Sequence, residues 1–409
     1  MPAGENDMHN NTVFPSIVVT KKQEKSLRAG SLWVYDDEIL SQEGMIGNGA
    51  VVDVFSEKGT YLGSGLWSEV SRIRVRILGK NANEVYDDAF WIRRVRYAVD
   101  YRKQVMGDGF RACRLIHGEA DGLPGVTVDR YENVLVSEIQ SYGMEQRKGI
   151  LYRTLMDLFA EDGTRVYIYE RNEGALRRKE GLVQEQGWYT EPGPDRVVIE
   201  ECGIRYEVDI VNGQKTGFFL DQKYNRVSVR TLSRGLRVLD CCTHTGAFAL
   251  NAVMGGAAEV TGVDISETAL AEARRNAALN GMQDSVRFVQ ADMFEFLEEA
   301  LERHAGYDLI ILDPPAFTKN KRSVQNARSG YRRLNALAMR VLKRGGYLVT
   351  NSCSHYMTRE LFLGMLMDAA RDAGVEVRIV KEAHAAPDHP VRLVSDEGEY
   401  LKNFILQIV

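Results

Sequence analysis

The chain has 409 residues, 44% hydrophobic and 27% charged, with a formal net charge of -5 and a pI near 5.9. That length and apolar content suit two or three packed cores, and the acidic balance excludes a uniformly basic nucleic-acid binder, so any nucleic-acid surface has to be local. Cysteine use (Cys113, Cys202, Cys241, Cys242 and Cys353, with no C-x-x-C pair) indicates neither a disulfide framework nor a zinc site, and no metal is expected.

The polar, Asn-rich stretch from Met1 to Pro15 lacks the apolar core of a signal peptide and reads as a flexible tail. No apolar run is long enough to span a bilayer, so a cytoplasmic location without a membrane partner is the default expectation. From Ser16 to residue 84 short β segments alternate with Gly turns. Ile17–Thr20, Ala50–Phe55, Tyr61–Trp67 and Ile73–Leu78 are the strand candidates, with a hairpin turn at Glu57-Lys58-Gly59. This pattern predicts a small β-barrel-like module. Its last strand places Arg72, Arg74 and Arg76 on one face, because side chains alternate with period two; taken alone, such a stripe reads as a solvated outer face. Residues 85–211 predict an α+β unit. A helix runs to about Met106, a dense turn follows at Glu119–Gly125, strands fall at Val126–Asp129, Val134–Ile139 and Val166–Tyr169 around a helix near Gln146–Ala160, and a β pair closes at Val197–Cys202 and Arg205–Ile210.

From residue 212 onward apolar strand cores alternate with amphipathic helices. Leu236–Leu239, Glu259–Val263, Val286–Val289, Leu309–Leu312 and Gly346–Thr350 predict an α/β, Rossmann-like domain with a parallel sheet, closed by an antiparallel pair at Val375–Val380 and Phe404–Val409. In such sheets ligands bind outside the carboxyl ends of the strands. The first strand ends at Asp240, followed by Cys241-Cys242-Thr243-His244-Thr245-Gly246. One glycine rather than G-x-G-x-x-G suits a ligand without a pyrophosphate, with Gly246 giving close approach and the helix start at Thr245 receiving a carboxylate. The second strand ends at Asp264-Ile265-Ser266, where an acid can accept from both ribose hydroxyls, or merely cap the next helix. The third ends at Asp292-Met293, an acid for an adenine amino group and a side chain to flank the ring. Together these acids fit S-adenosylmethionine (SAM).

The fourth strand ends in Asp313-Pro314-Pro315, a rigid turn that can hold a carboxyl against a planar base. The fifth ends in Ser352-Cys353-Ser354. A thiolate that adds to carbon 6 of cytosine makes carbon 5 nucleophilic toward the SAM methyl, and Cys353 and Asp313 face one cleft in this topology. A lone cysteine is otherwise a small buried hydrophobe. Cys241 and Cys242 are rival thiols, set aside because their loop lies under the cofactor. Between Asp313 and Glu360 there are ten cations and no acid, among them Lys319, Lys321 and Arg322. That stretch reads as a phosphate-binding surface that also favours the Cys353 thiolate.

In combination these residues resemble the bacterial large-subunit ribosomal RNA 5-methylcytosine methyltransferases with an N-terminal PUA domain. The resemblance runs from about residue 16 to the C-terminus through Arg28-Ala29-Gly30 with Trp33, Ser71–Leu78, Glu119–Gly125, the segment Thr216-Gly217-Phe218-Phe219-Leu220-Asp221-Gln222, Asp313-Pro314-Pro315, Ser352-Cys353-Ser354 and Asp388-His389-Pro390. It implies a PUA domain at 16–84, a central α+β domain at 85–211 and a class I SAM methyltransferase domain at 212–409. It also implies that Thr216–Phe219 contribute to the SAM site, that Cys353 is the nucleophile and Asp313 contacts cytosine, and that Arg72, Arg74 and Arg76 belong to an RNA-binding module. Two departures stand out. His244 replaces the family's common Tyr, and no second cysteine follows the prolines, which leaves the carbon-5 proton to another base, His389 being a candidate. The expected partner is ribosomal RNA, with a homodimer left open. Two alternatives remain: methylation of an exocyclic amine or guanine, and a non-catalytic RNA-binding assembly factor.

Overall fold

The structure, a computed structural model, describes residues 14–318, 321–393 and 398–409, so most of the 1–15 tail lies outside the described residues. The chain forms two compact units, one running to Pro194 and the other starting at Asp195.

In the first unit a six-stranded mixed sheet has the lateral order Trp33–Tyr35, Ile73–Gly79, Tyr61–Trp67, Val51–Ser56, Ser16–Val19, Ile39–Glu43. The hairpin at residues 56–61 closes as the sequence indicates, with Gly59 at φ +76° where a side chain would be strained. A five-stranded sheet follows, built from Glu185–Trp188, Tyr167–Asn172, Val134–Ile139, Val126–Tyr131 and Ala112–His117. The helices Asp88–Met106 and Lys148–Glu161 bury Phe90, Trp91, Leu151 and Leu155 with this sheet, and Val51, Leu66 and Leu78 of the first sheet join the same core. The two expected modules therefore share apolar packing. The hairpin Arg196–Glu201 and Ile204–Asp209, expected to close the central domain, belongs instead to the second unit. It lies on the helix Glu267–Leu279, with Glu207 N donating to Asn276 Oδ1 at 2.8 Å and Arg205 N to Asn280 Oδ1 at 2.9 Å. The two compact units divide at 194/195, ahead of this hairpin, whereas the sequence places a domain boundary at 211/212.

The second unit carries a seven-stranded sheet. Its strands are β1 Arg237–Cys241, β2 Glu259–Asp264, β3 Arg287–Gln290, β4 Tyr307–Leu312, β5 Leu342–Ser352, β6 Val377–Ala383 and β7 Lys402–Ile408, in the order 3-2-1-4-5-7-6. Strands β1 to β5 pair in parallel, and β7 enters antiparallel between β5 and β6. The expected closing pair exists, but its last strand is inserted into the sheet rather than left at its edge. Leu309, Ile310, Ile311 and Leu312 are fully buried, as strands covered on both faces require. The helices Met293–Glu302, Val324–Val341 and Arg359–Ala373 pack together with β1, β4 and β7 through Leu297, Tyr331, Leu334 and Phe362. The strand order reverses between β1 and β4, which opens a crevice at their carboxyl ends.

Candidate functional site

A cavity of about 400 Å³ occupies that crevice, within the roughly 300–1,000 Å³ typical of small-ligand sites. Of the sequence-derived candidates, Phe219, Asp264, Ile265, Ser266, Asp292, Met293, Asp313 and Cys353 line it. Thr216, Gly217, Phe218, Asp240, Thr243, Thr245 and Gly246 are not among the residues that line it.

The strand-end acids divide into three jobs. Asp240 is fully buried. Its Oδ2 accepts from Thr243 Oγ1 at 2.6 Å and Ala249 N at 3.0 Å, which ties the loop to the following helix, and burial pushes its pKa up to about 7. Asp264 faces the cavity. Its Oδ2 accepts from His244 N and its Oδ1 from Ser266 N, both at 2.9 Å. The helix after it is capped by Ser266, whose side chain accepts from Ala269 N, so capping does not explain Asp264. Asp292 does cap its helix, accepting from Phe294 N at 2.8 Å, while also bounding the cavity beside Met293.

Gly246 has φ +81°, and a Cβ there would meet Ala273 Cβ and the Phe288 ring at 3.1 Å. Loop conformation and internal packing both demand the glycine. Thr245 likewise serves the loop, its carbonyl accepting from Asn276 Nδ2 at 3.0 Å. His244 keeps an aromatic ring on the cavity wall, edge-on to Phe219 at 5.2 Å. Phe218 packs on Tyr206, with the Arg226 guanidinium over its ring at 4.8 Å.

The Cys353 loop is held from behind. Ser352 Oγ donates to the Tyr331 hydroxyl at 3.1 Å, and the same hydroxyl lies 3.3 Å from Ser354 Oγ. Below them Asn403 Nδ2 donates to Asn351 Oδ1 at 2.7 Å, and Asn351 Nδ2 to Leu312 O at 3.1 Å. Across the cleft Gln222 Nε2 donates to Asp313 Oδ1 at 3.0 Å, and Asn225 Nδ2 supports Gln222 Oε1 at 2.7 Å. Burial, then the nearby Asp221, pushes the Asp313 carboxyl up to about 7. Burial, then Asp313, pushes the Cys353 thiol up to about 11, and Lys215 opposes this. Of the charges that act on this thiol, the acid Asp313 outweighs the cation Lys215, against the expectation that basic surroundings favour the thiolate.

The cationic stretch explains why. Arg328 pairs with Asp368, Arg332 with Asp372, Arg333 with Glu298, Lys343 with Asp308 and Arg359 with Glu382. These acids come from outside the stretch, so much of its charge is neutralised in the fold. Lys319 lies outside the described residues; Lys321 begins a short turn, Lys321–Ser323, in which Arg322 is exposed.

The Arg stripe is also partly used internally. Arg76 bridges Glu119 at 3.2 Å and Glu180 at 2.9 Å, and Glu119 also accepts from Trp33 Nε1 at 3.0 Å. Arg74 lies over the Trp67 ring, at 5.5 Å, whereas Arg72 is exposed. His389 is buried against Asp388, Nδ1 to Oδ1 at 2.8 Å, and is not part of the cavity wall.

Residues that the sequence reading missed complete the site. Lys215 lines the cavity with its ammonium over Phe219 at 4.8 Å. Tyr400 donates to Asp221 Oδ2 at 2.7 Å. Lys402 lies beneath the Cys353 loop. None of the three carries a motif by itself. Of the rival thiols, Cys241 is buried in β1, while Cys242 touches the cavity under Met293, with Sγ to Sδ at 3.3 Å, its pKa well raised by burial and four surrounding carboxyls.

Residues 123–398 match the family described as S-adenosylmethionine-dependent methyltransferase, and residues 17–80 match the PUA-like domain. A Klebsiella pneumoniae protein named ribosomal RNA large subunit methyltransferase I is 39% identical over 98% of this chain and 100% of its own length. The protein of the same name from Salmonella arizonae is 40% identical, over 97% of this chain and 98% of its own. A solved Streptococcus mutans structure, described as a SAM-dependent methyltransferase, shares the fold with a TM-score of 0.81 at 22% identity, covering 96% of this chain and 100% of that one.

Proposed function

Because the chain belongs to the S-adenosylmethionine-dependent methyltransferase family, we propose that it methylates carbon 5 of a cytosine in large-subunit ribosomal RNA through a covalent Cys353 adduct. The observation that carries this reading is the meeting of Asp264, Asp313 and Cys353 on the wall of one cavity. The relatives' names and the PUA-like match support ribosomal RNA as the substrate class.

The lining fits the cofactor. Each Asp264 oxygen accepts one backbone N–H and keeps a lone-pair direction for a ribose hydroxyl, while Ile265 and Met293 offer apolar flanks for a purine. SAM, when bound, supplies an electrophilic methyl group. Asp313, whose raised pKa keeps a large protonated fraction near neutrality, donates to nitrogen 3 while the Cys353 thiolate adds to carbon 6. Carbon 5 thereby becomes the nucleophile. After methylation, loss of the carbon-5 proton to a base, departure of the thiolate and return of the nitrogen 3 proton to Asp313 restore the ring.

Asp264→Ala is expected to weaken SAM binding. Charge-assisted hydrogen bonds of about 1.5–3 kcal/mol correspond to a loss of roughly 10- to 150-fold; unchanged affinity by calorimetry removes Asp264 from the site. The functional reading is tested by nucleoside mass spectrometry of ribosomal RNA from cells with and without the gene, together with transfer from radiolabelled SAM by the purified protein. Gene-dependent 5-methylcytidine in the large-subunit RNA is expected. Methyl on an exocyclic amine promotes the amine reading, and binding without transfer promotes the assembly factor.

A further inference from the structure

We propose that Lys402 is a positioning residue for Cys353: its buried ammonium, bonded to the carbonyl that follows the cysteine, fixes that loop and stabilises the thiolate. This inference rests on the reading of Cys353 as the nucleophile. Lys402 opens β7 and stands opposite Ser352 in the antiparallel register with β5. It is 1% exposed, and Nζ donates to Ser354 O and to Tyr400 O, both at 2.7 Å. Lysine is almost never so buried unless paired, and two neutral carbonyls compensate its desolvation only in part.

The charged groups around it explain its tolerance. Burial pushes its pKa down to about 8, and Cys353 and then Glu399 hold it up. That coupling is mutual: an ammonium favoured by the thiolate favours the thiolate in return. Asp313 and Asp221 oppose the thiolate from the other side, and Lys215, which supports it, is exposed and screened. Lys402 is thus a buried cation bonded to the loop that carries the thiol. Its own face borders a separate cavity of about 650 Å³, with His355, Arg359, Glu360 and Glu399, whereas its neighbour Leu401 lines the cofactor cavity. It therefore acts through the loop and not by touching the base.

The test is the pH dependence of Cys353 alkylation by iodoacetamide, read on the Cys353 peptide by mass spectrometry in the full chain without RNA. Lys402→Met is expected to slow Cys353 alkylation roughly tenfold below about pH 8, where Lys402 carries its charge, with the ratio to wild type falling toward one as pH rises above 8, and with SAM affinity within about twofold of wild type. Lys402→Gln keeps a donor for the Ser354 carbonyl without the charge and is expected to show the same slowing below about pH 8 and the same convergence above it; it carries the test if Lys402→Met does not fold. A wild-type profile in the folded variants overturns the proposal. Absence of 5-methylcytidine in the nucleoside experiment would overturn the carbon-5 reading instead and leave this profile as it is.

Discussion

Cys353→Ser is expected to fold, to bind SAM and to lose turnover by on the order of 10³-fold or more, the scale on which an enzyme loses its nucleophile. Folding should survive because the contacts that shape the loop run through Ser352, Ser354, Tyr331 and Lys402 rather than through the sulfur. Chemistry should not, because a serine hydroxyl in the same half-buried position beside Asp313 is far harder to ionise than a thiol already pushed up to about 11. Cys242→Ser, at a thiol that contacts Met293, is expected to keep substantial activity. Cys241→Ser places a hydroxyl in a buried strand and is expected to lower stability before it touches rate. RNA carrying 5-fluorocytosine should trap wild-type protein in an adduct that survives denaturation, since fluorine does not leave as a proton does. Full turnover in Cys353→Ser sinks the covalent mechanism.

The parallel sheet was legible because five apolar runs with an acid or polar turn at each end are what strands covered on both faces require. The same logic located Asp264, Asp313 and Cys353. The sequence was less informative where structure depends on tertiary partners. The helix Lys21–Arg28 escaped detection because Gln23 and Leu27 are its only buried residues, too few for a helical period. The stripe Arg72, Arg74, Arg76 shows its alternation in sequence but not its use, since Glu119 and Glu180 lie far along the chain from Arg76. The ten-cation stretch likewise shows its charge in sequence but not the acids that pair with Arg328, Arg332, Arg333, Lys343 and Arg359, which other elements contribute. Asp240 shows the converse. It reads like a cofactor acid at a strand end, yet its oxygen is turned inward to Thr243 and Ala249.

Asp313→Asn is expected to separate two consequences that a purely structural role would keep together. The amide keeps an oxygen for Gln222 Nε2, so the turn should hold. It has no proton to give nitrogen 3, and turnover should fall by about 10²–10⁴-fold, the usual contribution of a general acid. The thiol should respond in the opposite sense. Ionised Asp313 is, after burial, the main cause of the raised Cys353 pKa, so removing its charge lowers that pKa. The size of the gain depends on pH. Asp313 titrates at about 7, so above that pH the wild type carries the repelling charge and the variant does not, whereas well below it both are neutral. Alkylation of Cys353 in Asp313→Asn should therefore outpace wild type at pH 8 to 9, with the ratio falling toward one by about pH 6, while methyl transfer is depressed throughout. A thiol that reacts no faster in the variant at pH 9 would show that Asp313 does not face Cys353 as a charge, and would leave hydrogen bonding to the base as its only role.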